Sequence, residues 1–426
     1  MRRRQSARIV FVTSLLSIIL LVLSLAGVLN PPIAGADRFA EEREAAHNLG
    51  APDLTDPDGV AKSSDPAEQG TDSSTDPTEA KGGDESPDPG ESGPVSTQAL
   101  DVSGNDPSLL APREDGLLRV WPQESSLPQL HDVDYDYYLS LEKESKALSG
   151  ITVILDPSFG GSSTGASVVT DSGVLAEKDI VLAIAQIAER YLTEMGADVI
   201  MTRSSDIEHS LFYVTALTAD TVLERYAKEA AAANYDTQLI DDLRLQMSDV
   251  MRINQNSADS GGRGLFGGIG TSARLRLIYD IQAQYGDVLF INISLNQDND
   301  AKKSGAEIRL MKQDFVTEVN NSYVEDQDPN TLSPNYSMID SQSRAKLAWL
   351  LYGHLQHQLP SIAAETDPRL TETDMAVLRL NNLTAVSVVP GYLSNAADRA
   401  VLGSEAGQQK VASAIAYAVR QYYVGP

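Results

Sequence analysis

The chain from Gly150 to Pro426 predicts an α/β fold, a three-layer arrangement in which a mostly parallel, twisted sheet carries helices on both faces plus a helical insertion. Three observations predict it. Ile151 to Leu155 is mostly β-branched or apolar and long enough for a buried strand. Glu177 to Gly196 then places Ile180, Ile184, Ile187, Ala188, Tyr191 and Met195 at helical spacing, with acidic residues in the first turn and glycine at the end. Ala197 to Arg203 follows as a second strand, and strand, helix, strand in that order requires a right-handed crossover in a parallel sheet.

Ahead of that domain the chain changes character twice. Met1 to Arg4 and Arg8 are basic, and Ile9 to Leu29 is an almost continuous apolar run. A basic flank before about 20 apolar residues fits a membrane span with a cytoplasmic N-terminus. Ala34-Gly35-Ala36 also has the small-x-small form of a cleavage site, so a cleaved signal peptide is the competing reading. Either way the remainder lies outside the cytoplasm. From Asp37 to about Ala111, Asp, Glu, Pro, Ser, Gly and Thr dominate, and such a segment buries too little apolar surface to offset its ordering entropy. It is expected to be a disordered acidic tether at 37–111, leading into an extended arm at 112–149 that packs on the domain. With 33 Lys+Arg against 60 Asp+Glu the formal net charge is −27, which argues against nucleic acid as a partner. Zero cysteines exclude disulfides and thiolate metal sites.

Within the domain, Asp156-Pro157 ends the first strand because proline has no N–H to continue the ladder. Gly160-Gly161 then permit a tight loop. Open α/β sheets build their sites where a strand enters such a loop at its carboxyl end, so chemistry is expected here, although the apical residue is Phe159. Residues 217–285 read as a helical insertion: helices at 217–233, 239–253 and 271–285, with a flexible Gly-rich loop at 261–270. That loop lacks the Gly-Lys-Ser/Thr ending and follows no strand, so it is a hinge rather than a phosphate cradle. Asp287 to Ser294 is apolar enough for a central strand, and Gly305 to Met311 alternates like a strand with one solvated face. Ser341 to Leu359 is a helix, Met375 to Leu380 and Ala385 to Val389 are short strands, and Glu405 to Tyr423 closes the domain as a helix.

Taken in order, Leu155-Asp156-Pro157 with Gly160-Gly161, Gly165-Ala166, Glu177-Lys178-Asp179 opening a helix, Thr202-Arg203, residues 289–296, and Gly391 to Asn395 carry a resemblance. The stretch from Ile151 to Tyr423 resembles the zinc-dependent N-acetylmuramoyl-L-alanine amidases, which cut the amide between lactyl-muramic acid and the stem peptide of peptidoglycan. The resemblance implies two histidines and one glutamate around Zn²⁺, a coordination position open to water, and a proton-handling glutamate near the C-terminus. Carried over residue by residue, the first histidine falls on Phe159, the glutamate ligand on Glu177, the second histidine on Ser294 and the catalytic glutamate on Val389. Glu177 alone is retained as a metal ligand, no catalytic residue remains, and Asp156, Phe159, Ser294 and Val389 line a vestigial cleft. An acidic residue in a first helical turn is also favourable with no metal present, which is a second reading of Glu177.

The expectation is therefore a membrane-anchored, extracytoplasmic amidase homologue without catalysis and without a cofactor, acting as a cell-wall binding or regulatory protein. Its expected partners are peptidoglycan, a cell-wall hydrolase or an envelope complex. The alternative is an active amidase with a relocated zinc site drawn from His209, His354, His357 and carboxylates near Glu177; His354 and His357 stand at i, i+3 on one helix. His47 lies in the tether and His131 in the arm. Some amidases of this type look similar in carrying a helical segment over the cleft until a partner displaces it. The insertion is either such a segment, hinged at 261–270, or an extra packing element.

Overall fold

The computed structural model describes residues 97–171, 173–255, 264–324, 326–363 and 368–425. The apolar run at 9–29, nearly all of the tether and Gly261 to Arg263 of the hinge lie outside the described residues. Among the described residues, no helix is long and apolar enough to cross a membrane.

A six-stranded sheet in the order β4-β1-β5-β8-β6-β7 forms the centre. Its strands are β1 (Thr152–Pro157), β4 (Asp198–Met201), β5 (Val288–Ile293), β6 (Glu307–Leu310), β7 (Leu370–Glu372) and β8 (Thr384–Val389). β4, β1, β5 and β8 are mutually parallel, while β6 runs antiparallel to β8 and pairs with β7 in parallel. β1, β5 and β8 are buried along their whole length, as their mostly apolar runs lead one to expect.

Alternation along these strands divides the core in two. Val153, Leu155, Leu289, Ile291, Val386 and Val388 face α2 (Glu177–Glu194), α7 (Ser341–Gln358) and α10 (Glu405–Val424). Ile154, Val288, Phe290 and Ala385 face α3 (Leu211–Ala232), α4 (Gln238–Ile253) and α5 (Ala273–Gln282). The three expected layers are present. The insertion makes up most of the second helical layer: Phe212, Val222, Tyr226, Ile240, Met247 and Ile278 are all buried in its core, joined there by Val316, Val319, Val377 and Leu378. α3 starts at Leu211 rather than 217 because Ser210 caps it, accepting from Tyr213 N–H. The described end of the proposed hinge is fixed, with Phe266 and Ile269 buried and Thr271 N–H bonded to Pro334 O at 2.8 Å.

Other differences have local causes. Met375 to Leu380 is not a strand: Ala376–Arg379 forms a short helix, α8, and Leu370–Glu372 takes the sheet edge. The run is buried all round, so its apolarity does not reveal its period. A two-stranded hairpin, β2 (Ser167–Thr170) with β3 (Gly173–Ala176), stands between the loop after β1 and α2. A further helix, α6 (Gln313–Ser322), follows β6, and α9 (Ala396–Leu402) precedes α10.

The arm packs on the domain. Trp121 is buried and donates from Nε1 to Thr271 O at 2.8 Å, and the short helix α1 (Tyr135–Ser140) lays Tyr138 against Tyr423. Residues assigned to the end of the tether also join the domain, since Gln98 exchanges backbone hydrogen bonds with Asn234 and Asp236.

Arg344 of α7 has no exposed surface and donates to the carbonyls of Leu383, Met311, Leu378 and Asn381. Burial pushes its guanidinium down to about 10, so it stays charged at neutral pH. It holds together the turns after β6, α8 and before β8. Arg344→Leu should cost about 3–5 kcal/mol, because those carbonyls would be left dry and unpaired. Denaturant unfolding should show a lower midpoint at an unchanged slope.

Candidate functional site

The carboxyl ends of β1, β5 and β8 lie side by side and continue into loops still in register: Ser158 N–H bonds Ile293 O at 3.0 Å and Ser294 N–H bonds Val388 O at 3.1 Å. Ser158, Ser294 and Val389 therefore share one edge of the sheet. Just before that edge a row of polar side chains crosses four strand positions. Asp156 pairs with Asn292, and Asn292 with Ser387. Thr202 Oγ1 donates to Asp156 Oδ1 at 2.7 Å and Asn292 Nδ2 to Asp156 Oδ2 at 2.7 Å. Ser387 Oγ donates to Asn292 Oδ1 at 2.7 Å, and Ser294 Oγ lies 3.3 Å from Ser387 Oγ. All five side chains are buried, and each is satisfied within the row.

The loop after β1 is shaped by left-handed backbone at Phe159 (φ 63°), Gly161 (φ 54°) and Gly165 (φ 64°). A non-glycine residue at such a φ is unusual and must be held in place by its surroundings. Arg203 supplies much of that hold. Its buried guanidinium donates to Pro157 O at 2.8 Å, Ser158 O at 3.0 Å and Lys178 O at 2.8 Å. Lys178 in turn bridges Gly161 O and Asp206, each at 2.7 Å, and holds the Asp206 carboxyl below the usual carboxylate range. The Thr202-Arg203 and Lys178 positions of the sequence pattern thus act on the loop's shape.

Glu177 opens α2 and is 1 % exposed. Its Oε2 accepts from Ala166 N–H at 2.8 Å and its Oε1 from Leu295 N–H at 2.6 Å. Gly165 passes directly over it: a Cβ there would lie 2.6 Å from Glu177 Oε2 and 2.6 Å from Phe159 Cδ2. The phenyl edge and the carboxylate thus press on the same point. Phe159 and Glu177 meet at Gly165, Ser294 adjoins Leu295, which bonds Glu177, and Val389 at the end of β8 is fully buried.

Opposite Val389 in the antiparallel β6–β8 register stands Glu307. Its carboxylate accepts from Asn296 at 3.0 Å, Arg309 at 2.8 Å and Thr371 at 3.3 Å. Burial pushes this carboxyl up, but Arg309 and the three donors outweigh it and hold the group ionised below its ordinary range. Sequence reasoning missed Glu307, Arg309, Asn292 and Ser387. Single polar residues inside the otherwise apolar runs 288–293 and 384–389 were the available signal for the last two.

The histidines do not assemble. His209 stacks on Tyr213 at 3.8 Å, and burial lowers its ionisation. His354 contacts Gln421 of α10 at 2.8 Å, and His357 lies one turn further along α7, which packs on the opposite face of the sheet from α3. Among the described residues no three His, Cys, Asp or Glu side chains are grouped so that they could hold a metal ion.

A family model described as N-acetylmuramoyl-L-alanine amidase matches residues 153–239 and 250–421. The chain belongs to this amidase family. The curated "Probable cell wall amidase LytH" of Staphylococcus aureus is 46 % identical over 69 residues, 16 % of this chain and 23 % of that protein. The chain thus spans about a quarter of the length of the curated relatives it matches. Among solved structures, the CwlD amidase from Clostridioides difficile in complex with the GerS lipoprotein is 19 % identical with a TM-score of 0.37, over 64 % of this chain and 98 % of that one. Ami1 from Mycobacterium smegmatis is 15 % identical with a TM-score of 0.38, over 66 % and 99 %. The amidase family is typically zinc-dependent. The side chains present fit that ion poorly: Phe159 has no donor atom, Val389 no proton to move, and Glu177 alone is one carboxylate where three protein ligands are needed.

Gly165→Ala should destabilise the domain by about 2–4 kcal/mol, from positive φ and from the collision with Phe159 and Glu177. In denaturant unfolding, Phe159→Ala combined with Gly165→Ala should cost less than the sum of the two single changes, since the smaller side chain removes one of the colliding groups.

Proposed function

We propose that this amidase-family chain has lost hydrolysis and works by binding. It holds peptidoglycan at the cleft between the β1 and β5 loops, or docks there on a cell-wall hydrolase or envelope complex. The folded domain is extracytoplasmic and the apolar run 9–29 is its membrane anchor, with the acidic segment as spacer. The reading is supported by one observation above others: Phe159 stands where a histidine ligand would, and its ring and the Glu177 carboxylate, which already accepts from Ala166 and Leu295 N–H groups, crowd the same point at Gly165.

Catalytic zinc sites use three protein ligands and keep a fourth position for water. Here the position of one histidine carries a phenyl ring, and the other carries Ser294, whose hydroxyl contacts Ser387. Val389 has no acid or base function, and Glu307 across from it is neutralised by Arg309. What the site retains is a loop held in left-handed backbone, backbone groups at the edge of the sheet, and a mutually bonded polar cluster of Asn296, Glu307 and Arg309 beside them. These suit recognition of a polar glycopeptide by hydrogen bonds.

The test uses purified peptidoglycan incubated with the protein and excess zinc. The expected outcome is co-sedimentation with the insoluble polymer and no release of stem peptides. Peptide release that is abolished by a chelator would overturn the reading in favour of a working amidase with ligands from elsewhere in the chain.

A further inference from the structure

The arm meets the helical insertion through a compact charged cluster centred on His131. His131 Nδ1 lies 3.0 Å from Glu229 Oε1 of α3, and Nε2 lies 3.1 Å from Asp287 Oδ1 just before β5. Arg225, one turn earlier on α3, is 2.5 Å from the other Asp287 oxygen. Tyr285 completes the cluster: its ring stacks on the imidazole at 4.3 Å, its hydroxyl donates to Glu229 Oε2 at 2.9 Å, and the Arg225 guanidinium sits 4.7 Å from its centroid. On the arm's side the neighbouring backbone is gripped by neutral groups. Gln284 accepts from Leu130 N–H at 2.9 Å and donates to Pro128 O at 3.0 Å, and Tyr226 OH donates to Pro128 O at 3.1 Å.

Charge counting sets what this cluster does. Glu229 and Asp287 carry two negative charges, Arg225 one permanent positive charge, and only an imidazolium balances the remainder. The Nε2–Asp287 contact is close but poorly aligned, leaving both atoms without a regular hydrogen bond, so its attraction depends on charge. The Asp287 side chain is nearly buried and that of His131 largely so, which limits screening by solvent.

We propose that His131 is a proton-operated latch between the arm and the helical insertion: the imidazolium, set between Glu229 and Asp287, holds residues 126–134 onto α3, and loss of its proton loosens that grip. Burial opposes the charge on His131, but Asp287 and Glu229 outweigh both burial and the nearby Arg225, and raise its ionisation above that of an ordinary imidazole. The sign follows. A group whose folded-state value is raised contributes fully below its unfolded value of about 6.5, and that contribution is lost as pH climbs through the folded value. The arm is thus held in mildly acidic surroundings and relaxes towards alkaline pH. Tyr135 and Tyr138 also face Asp287, but burial keeps both phenols protonated throughout this range.

The experiment is amide hydrogen exchange on the full chain at about pH 6 and about pH 8, corrected for intrinsic rates, with the β5 amides as an internal control. Protection of residues 126–134 should fall at least about threefold at the higher pH while β5 is unchanged. His131→Asn should give a flat profile at the loosened level. Glu229→Gln, which balances the cluster without a proton, should shrink the pH effect. An arm whose protection is independent of pH in the unaltered protein, or whose pH response persists in His131→Asn, would overturn the proposal.

Discussion

The Glu177 carboxylate ties together two loops that leave neighbouring strands, and the rest of the cleft is arranged around it. One oxygen takes the Ala166 N–H from the loop after β1, and the other takes the Leu295 N–H from the loop after β5. A fully buried carboxylate needs such partners, because leaving a charge dry and unpaired costs several kcal/mol. The same residue starts α2, where the helix N-terminus favours a negative charge. One side chain thereby fixes the spacing of the β1 and β5 loops and the entry of a helix, with no ion needed to hold them.

The polar row beneath it obeys the same rule. Thr202, Asp156, Asn292 and Ser387 sit on the face that α3 and α5 cover, where water cannot serve them. Their hydrogen bonds run across β4, β1, β5 and β8, so the row also fixes strand register: a one-residue slip would turn these groups into the opposite, apolar face. Glu307 and Arg309 extend the polar edge to β6, neutralising each other beside Val389. The helical insertion closes this arrangement from one side. Its helices share one continuous buried core with the sheet, with Phe212, Tyr226, Ile278 and Phe290 packed in the same cluster.

Much of this was legible in the sequence. The runs at 151–155, 287–294 and 385–389 announce buried strands, and the Ile180 to Met195 spacing announces α2, with Gly196 at φ 98° as its terminator. The family pattern singled out Glu177 as a metal ligand and Asp156, Phe159, Ser294 and Val389 as a vestigial cleft; in the structure Ser294 adjoins Leu295, whose N–H bonds Glu177, and Phe159 and Glu177 both crowd Gly165. Met375 to Leu380 failed because an apolar run buried on all sides has no readable period. The hairpin at 167–176 was missed although Val168 and Val169 are separated from Val174 and Leu175 by a turn containing glycine, which is a hairpin signal. The Glu307–Val389 pairing was not legible at all, since it depends on the register of an antiparallel strand about eighty residues away in sequence.

On the proposed reading, Glu177 serves as a structural carboxylate rather than a metal ligand. Thermal unfolding of the protein and of Glu177→Gln, each with excess zinc and with a chelator, tests it most directly. The account predicts that the unaltered protein unfolds at the same temperature in both conditions, and that Glu177→Gln unfolds lower in both by a similar amount. A midpoint that rises with zinc in the unaltered protein, with the rise absent from Glu177→Gln, would contradict it.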